Sequence, residues 1–195
     1  MSTIKVSTIS PLGTDATKTI TMGESGGIIT RASGANANFA GVKVAGMWRI
    51  NTGTNLVADT DTVVTAGWEE VDSDSYTRIG SAMSQSSGVW TFPETGIYQI
   101  LWNVQYKDPQ AAGNRCTTII TVTTDNSSYS TATDNSGNFE STSSRASILA
   151  SHIFDVTNTS THKCKLSALC TGTVTLHSAT EQSRTWVQFI RLGDT

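Results

Sequence analysis

The chain has 195 residues and a formal net charge of −3, and only 15% of its residues are charged. Its 13 Lys and Arg residues give no basic excess of the kind that nucleic-acid binding requires, and no apolar run is long enough to span a membrane. Serine and threonine instead make up 56 residues (24 Ser, 32 Thr), and the Ala, Leu, Glu and Lys blocks of helical bundles are missing. The composition predicts one all-β domain, with or without a short appendage.

Residues 1–38 differ in character from the rest of the chain. They hold short β-prone pieces, separated by proline and glycine, that are too short and too sparsely apolar to form a core alone. We therefore predict an extended N-terminal arm over 1–38 that lies against another surface, followed by a folded domain over 39–195. The first residues contain no apolar stretch, so no secretory leader is expected.

Residues 96–107 form the strongest predicted strand. Even-numbered positions from Tyr98 to Tyr106 fall on one face and odd-numbered positions on the other, and this period of two continues for about ten residues. Residues 116–124 are almost all β-branched, and residues 146–156 alternate again. Further strands are predicted at 39–50, 68–71, 78–84, 89–92, 164–170, 174–176 and 185–192.

Eight to ten such strands, separated by Asn, Asp, Ser and Gly clusters, indicate an antiparallel sandwich, jelly roll or barrel. One interval stands out, because residues 125–145 are polar throughout. We interpret this interval as a long loop, and a loop of that length in a small domain is usually functional or mobile.

The cysteines and histidines show no metal-ligand spacing. Five residues lie between Cys164 and Cys170, which is outside the zinc-knuckle range, so buried thiols are expected for both and for Cys116. A single disulfide is the alternative, and whether Cys164 pairs with Cys170 stays open. His152 alternates within a predicted strand and is interpreted as an interior residue, whereas His162 has only a sequence-adjacent thiol to suggest a dyad.

No motif of catalysis or cofactor binding occurs in the chain. We therefore expect no enzymatic activity, no cofactor and no bound metal. Four carboxylates could form a hard-cation site, but the calcium-loop pattern fails and a solvated loop is preferred. Trp68 and Trp90 are weak candidates for stacking on a sugar, and Trp102 is assigned to the core or to a subunit interface. The four carboxylates are Glu69, Glu70, Asp72 and Asp74.

Three stretches resemble small structural proteins of tailed bacteriophages, especially those of marine bacteria. They are residues 79–98, with Phe-Pro-Glu-Thr-Gly-Ile-Tyr at 92–98, residues 124–129, and Phe-Ile-Arg-Leu-Gly-Asp-Thr at 189–195. The motif at 92–98, followed by a long alternating strand, also resembles the trimeric jelly rolls of the complement and tumour-necrosis-factor superfamily. This resemblance implies an antiparallel jelly-roll β-sandwich that forms a homotrimer, with Tyr98, Trp102 and Tyr106 in the trimer core or interface.

The resemblance to phage structural proteins implies a virion component, made in the cytoplasm of the bacterial host. Because 195 residues leave no room for a fibre shaft, we predict a capsid decoration (cement) protein that binds the major capsid protein. The alternative is a tail-fibre or head-fibre tip that recognises a host-surface glycan or protein, for example through 125–145. A carbohydrate-binding module or glycan hydrolase of the same fold would need two converging carboxylates, which we do not expect. The residues assigned to capsid anchoring by the arm are Ile4, Val6, Ile9, Ile20, Ile28 and Ile29.

Overall fold

The computed structural model of the chain describes residues 41–107, 112–142 and 144–195. Within these ranges all regular structure is β, and the strands form two antiparallel sheets packed as a jelly-roll sandwich. No helix of sufficient length and apolarity to cross a membrane occurs in the described ranges. The predicted arm lies outside the described residues, as do its anchoring candidates Ile4, Val6, Ile9, Ile20, Ile28 and Ile29.

The described ranges contain thirteen strands. They are β1 (Ala45–Ile50), β2 (Thr54–Leu56), β3 (Thr62–Val63), β4 (Trp68–Glu70), β5 (Ser84–Ser86), β6 (Val89–Thr91), β7 (Gly96–Lys107), β8 (Arg115–Thr123), β9 (Ser130–Asn138), β10 (Ala146–Val156), β11 (Lys163–Cys170), β12 (Val174–Leu176) and β13 (Trp186–Gly193).

The seven-stranded sheet is organised around β7. One edge of β7 pairs with β10 along its length, and the other edge pairs first with β13 and then with β12. Outward from β13 come β1 and β4, and outward from β12 comes β2. In the second sheet, of six strands, β11 lies between β8 and the pair of short strands β6 and β3, with β9 and β5 at the edges.

The core lies between the two sheets and follows from the alternation of β7. All its even-numbered residues are buried and its odd-numbered ones, Ile97 to Lys107, are half-buried, as expected of a strand with one face inside. Hydrogen bonds of buried side chains in this core cross from one sheet to the other. Trp102 Nε1 donates to the Ser167 carbonyl at 3.1 Å, and the Tyr106 hydroxyl donates to the Thr117 carbonyl at 2.8 Å. The sandwich is therefore joined by hydrogen bonds as well as by apolar contact.

The limits of β7 and β10 agree with those predicted, whereas two other predictions are wrong. Residues 78–84 do not form a strand: Ile79 makes an isolated bridge with Ala45, and Gly80 adopts a positive φ of 69° that ends the pairing. The interval 125–145 is not one loop, because β9 occupies much of it and pairs with β8. The short strands β2 and β3 were not anticipated.

Candidate interaction surface

The outer face of the seven-stranded sheet carries three rows of side chains that run across the strands. Directly paired residues share a face, so the register of β10, β7, β13 and β1 defines each row. The first row is Leu149, Asn103, Trp186, Arg49 and Glu69; the second is Ser151, Leu101, Gln188 and Met47; the third is Ile153, Gln99, Ile190, Ala45 and Ile79.

Large apolar side chains are exposed on this face. Six large hydrophobic side chains are exposed in the described ranges, and three of them belong to the rows: Ile153 at 60%, Ile79 at 46% and Leu149 at 43%. A fourth, Leu192, is 52% exposed and follows Ile190 at the point where the pairing of β13 shifts. This concentration on one face differs from the scattered apolar residues of an ordinary surface.

Charge on the same face is confined to its margin. Arg49, only 1% exposed, ends the first row, and its Nε atom lies 3.0 Å from Glu69 Oε2. Its Nη2 lies 2.6 Å from Asp72 Oδ1, and its Nη1 donates to Ser73 Oγ at 2.8 Å. The guanidinium is thus fully engaged, and Glu69, its paired neighbour in the first row, is the other charged residue of the three rows. The rows are thus mainly amides, hydroxyls and apolar side chains around one ion-paired cation, and the exposed carboxylate of Asp155 lies beyond the third row, opposite Ile97. Such a composition fits a protein surface better than an ionic ligand.

The polar side chains of the three rows are few in kind. They are mainly amides and hydroxyls, which neither donate nor accept a proton readily at neutral pH. In the described residues, no group of three or more His, Cys, Asp or Glu side chains could hold a metal ion. The chemistry that this surface supports is association through shape and apolar contact.

Tyr98, Trp102 and Tyr106 lie on the opposite, inner face of β7. All three are fully buried between the sheets of a single chain, so they have no exposed surface. Burial raises the pKa of Tyr98 to about 12, with the nearby Glu94 carboxylate acting in the same direction, and it also raises the pKa of Tyr106. The single chain places all three in the core of its own sandwich, and their position in a trimer core or interface stays a prediction.

The interpretation of the four carboxylates as a solvated loop is right in part, because Asp72 and Asp74 are exposed in the segment after β4, whereas Glu69 and Glu70 are half-buried residues of β4 itself. Besides the Arg49 pairs of Glu69 and Asp72, Glu70 binds the Arg78 guanidinium at 2.6 Å and also contacts the Tyr76 hydroxyl at 3.4 Å. These pairs fasten the segment after β4 onto the sheet, because each carboxylate with a partner is held by a cation from elsewhere in the chain.

The tryptophans proposed for sugar stacking lie inside the fold. Trp90 has no exposed surface, and its ring makes edge contacts with Trp48 at 5.4 Å and Trp68 at 4.9 Å. Trp68 is half-buried, and its ring centroid lies 5.4 Å from that of Trp102. The sugar-stacking hypothesis is therefore wrong for Trp90, whereas Trp68 packs against the same core with part of its side chain exposed.

The cysteine and histidine predictions need partial correction. Cys116 and Cys170 form a disulfide, whereas the sequence favoured three free thiols, and Cys164 remains a buried thiol that does not pair with Cys170. His152 is half-buried, and desolvation lowers its pKa. His162 is 9% exposed, and its ring contacts the hydroxyls of Thr157 and Thr161.

The residues of the outer face were missed in the sequence, although a signal existed. On β10 the outward positions are polar except for Leu149 and Ile153, and on β7 they are polar except for Ile97 and Leu101. Large apolar residues on the polar face of an alternating strand are the mark of a second contact surface.

Comparison with solved structures agrees with this architecture. Murine APRIL at pH 5.0 superposes with a TM-score of 0.54 at 14% identity, covering 76% of this chain and 98% of its own. Eiger TNF from S. frugiperda gives a TM-score of 0.56 at 14% identity, covering 79% and 95%. The PRD1 vertex protein P5 gives 0.45 at 16% identity, covering 79% and 100%, a similarity too low to carry an argument. The chain therefore has a jelly roll of the tumour-necrosis-factor type.

Comparison at the level of sequence adds nothing to this assignment. No protein-family model matches the chain, and no curated protein matches it. At 14% identity the structural similarity establishes the fold alone.

Proposed function

We propose that this chain is a homotrimeric structural protein of a bacteriophage virion, and specifically a capsid decoration protein that binds the major capsid protein. The observation that carries the self-association is the outer face of the seven-stranded sheet, with its exposed Ile153, Ile79 and Leu149 and its single, internally paired cation. In the trimeric superfamily that the chain resembles, identical subunits associate. A surface of this kind is suited to contact with copies of the same chain, because neutral faces do not repel each other.

The virion part of the proposal is supported by the sequence resemblance at 79–98, 124–129 and 189–195 to phage structural proteins. The low charge of the chain, with 15% charged residues, agrees with close packing of many copies. The proposal gives the chain no catalytic role and no cofactor, and places it in the virion after synthesis in the bacterial cytoplasm. Residues 1–38 are assigned to the contact with the major capsid protein.

Sedimentation of the purified chain tests the trimer. The expected mass is about 62 kDa, three times the 20.7 kDa of one chain, and a single 20.7 kDa species at micromolar concentration would refute self-association. Ile153→Glu should convert the trimer to folded monomer, because a carboxylate would be buried without a partner in every copy. Val57→Glu is the matched control, since Val57 is 66% exposed and lies outside the rows.

The outcome for the two variants decides whether this face is used. Ile153→Glu should keep the far-ultraviolet circular dichroism of the wild type, because its side chain is outside the core. Trimers that persist in Ile153→Glu would place the interface elsewhere, and so would loss of trimers in Val57→Glu alone.

Capsid binding is tested by a co-sedimentation assay with expanded capsids that lack the decoration protein. The full chain should bind at saturable sites, and a variant lacking residues 2–30 should bind much more weakly while remaining trimeric. Equal binding by the truncated chain would remove the arm from the contact. Binding to host cell envelopes but not to capsids would favour the fibre-tip alternative.

A further inference from the structure

The disulfide between Cys116 and Cys170 joins the two central strands of the six-stranded sheet. The two residues are direct partners in the antiparallel register of β8 and β11. Seven further residue pairs of the same ladder, from Lys163 with Thr123 to Leu169 with Thr117, hold these strands together. The pairing of β8 with β11 therefore already places the two cysteines opposite each other. The disulfide forms without any change in the strand pairing of the sheet.

Both sulfur-bearing residues are shielded from solvent. Cys116 and Cys170 have no exposed surface in the folded chain. Thiol–disulfide exchange needs a thiolate to approach a sulfur directly, and a reductant such as glutathione cannot do so while the residues are covered. Burial also raises the pKa of the Cys164 thiol, so the third cysteine of the chain is a poor nucleophile in the folded state.

The remaining cysteine cannot exchange with the disulfide from within. Cys164 is on the same strand and the same inner face as Cys170, opposite Val122 and Trp90. Six residues of extended strand separate it from Cys170 by about 20 Å, far beyond bonding distance. Cys164 is fully buried as well, so its own reactivity reports whether β11 has opened.

We propose that the oxidation state of the Cys116–Cys170 pair is set while the chain folds. Once the chain is folded, this oxidation state is kept until β11 separates from β8. During folding the oxidant is a low-molecular-weight disulfide. The thiolate of one cysteine attacks it and releases one small thiol, and the thiolate of the other cysteine attacks the mixed disulfide and releases the second. The two protons of the protein thiols pass to the two released small thiolates, so that two protein thiols are oxidised and one small disulfide is reduced to two thiols.

The test compares two reactions on the oxidised, full-length chain in separate samples. The first is reduction of the disulfide by a phosphine reductant, and the second is alkylation of Cys164 by iodoacetamide, both followed by mass spectrometry. For each reagent, a protection factor is calculated as the rate for the urea-denatured chain divided by the rate for the folded chain. Both reactions should be slowed at least roughly a thousandfold in the folded chain, and the two factors should agree within about tenfold and decrease together with added urea.

Oxidation of the chain after it has folded in the reduced form is the second part of the test. The chain folded under reducing conditions should keep three thiols when oxidised glutathione is added, and should form the disulfide only after passage through urea. The Cys116→Ser/Cys170→Ser variant should melt about 8–16 °C lower than the oxidised chain, because the disulfide closes a loop of 54 residues. In the Cys164→Ala control, the difference in melting temperature between the oxidised and reduced forms should be the same as in the wild type.

Several results would overturn this proposal. They are rapid reduction of the folded chain while Cys164 stays protected, rapid oxidation of the folded reduced chain, and failure of the reduced chain to fold at all. None of these measurements depends on capsid binding or on trimers, so the inference stands or falls separately from the proposed function.

Discussion

Truncation of Trp102 gives the sharpest test of how the two sheets are held together. Its side chain is fully buried, its ring packs 5.4 Å from that of Trp68, and its Nε1 donates to the Ser167 carbonyl of the opposite sheet. Loss of a buried tryptophan ring costs about 3–5 kcal/mol, of which the cross-sheet hydrogen bond contributes about 1 kcal/mol. Against a typical total of about 5–15 kcal/mol, Trp102→Ala should leave a marginal fold.

Urea unfolding followed by circular dichroism measures this cost, and a second variant separates its parts. Trp102→Phe keeps an aromatic ring but removes the N–H group, so its loss should be about 1–2 kcal/mol. Val57→Ala, at a 66% exposed position, should change stability by less than about 0.5 kcal/mol. If Trp102→Ala were as stable as Val57→Ala, the assignment of Trp102 to the centre of the sandwich would be wrong.

Three other perturbations address the margins of the fold. Arg49→Leu should lower the free energy of unfolding by about 1–3 kcal/mol, because its carboxylate partners lose their cation, and an unchanged urea midpoint would show that the network is dispensable. Gly96→Ala should lower the melting temperature by several degrees, since Gly96 has a φ of 147°. A Cβ atom at this position would collide with the Arg191 guanidinium and lie 2.6 Å from the Gly193 carbonyl oxygen. A melting temperature equal to that of the wild type would contradict this geometry. For Asp125, hydrogen bonds from Thr123 and two backbone N–H groups lower the carboxyl pKa below 3.8, so its stabilisation is complete above that pH and is lost as the pH falls through the lower, folded value. Nuclear magnetic resonance titration should find its midpoint below 3.8, and Asp125→Asn should remove this part of the acid dependence.

The long alternating strands could be predicted from sequence to the residue. β7 and β10 each bury one face against the other sheet, and a period of two over eleven or twelve residues has no competing explanation. The start of β7 also has a local signal, since the Pro-Glu-Thr sequence at 93–95 separates it from β6.

Polar and long-range features could not be predicted in this way. β9 is an edge strand that pairs only with β8, so its residues face solvent widely and carry no apolar period. The ion pairs of Arg49 connect residues at least twenty positions apart, and the disulfide spans 54 positions. Such contacts depend on the register of strands that the local sequence does not encode. Trp90 was misassigned because strand alternation buries its side chain between two half-buried neighbours on β6.

The position of β13 in the seven-stranded sheet has a consequence for how the chain reaches its folded state. β1 and β7 never pair directly, because β13 lies between them and pairs with both. The sheet therefore cannot grow in the order in which a ribosome delivers its strands: β1 and β4 must wait until residues 186–193 have been synthesised. Folding dominated by such distant pairings is slow, and a chain cut before Trp186 would expose the edges of β1 and β7 together. Truncated or stalled chains should accordingly be substrates for proteolysis or aggregation rather than smaller stable domains.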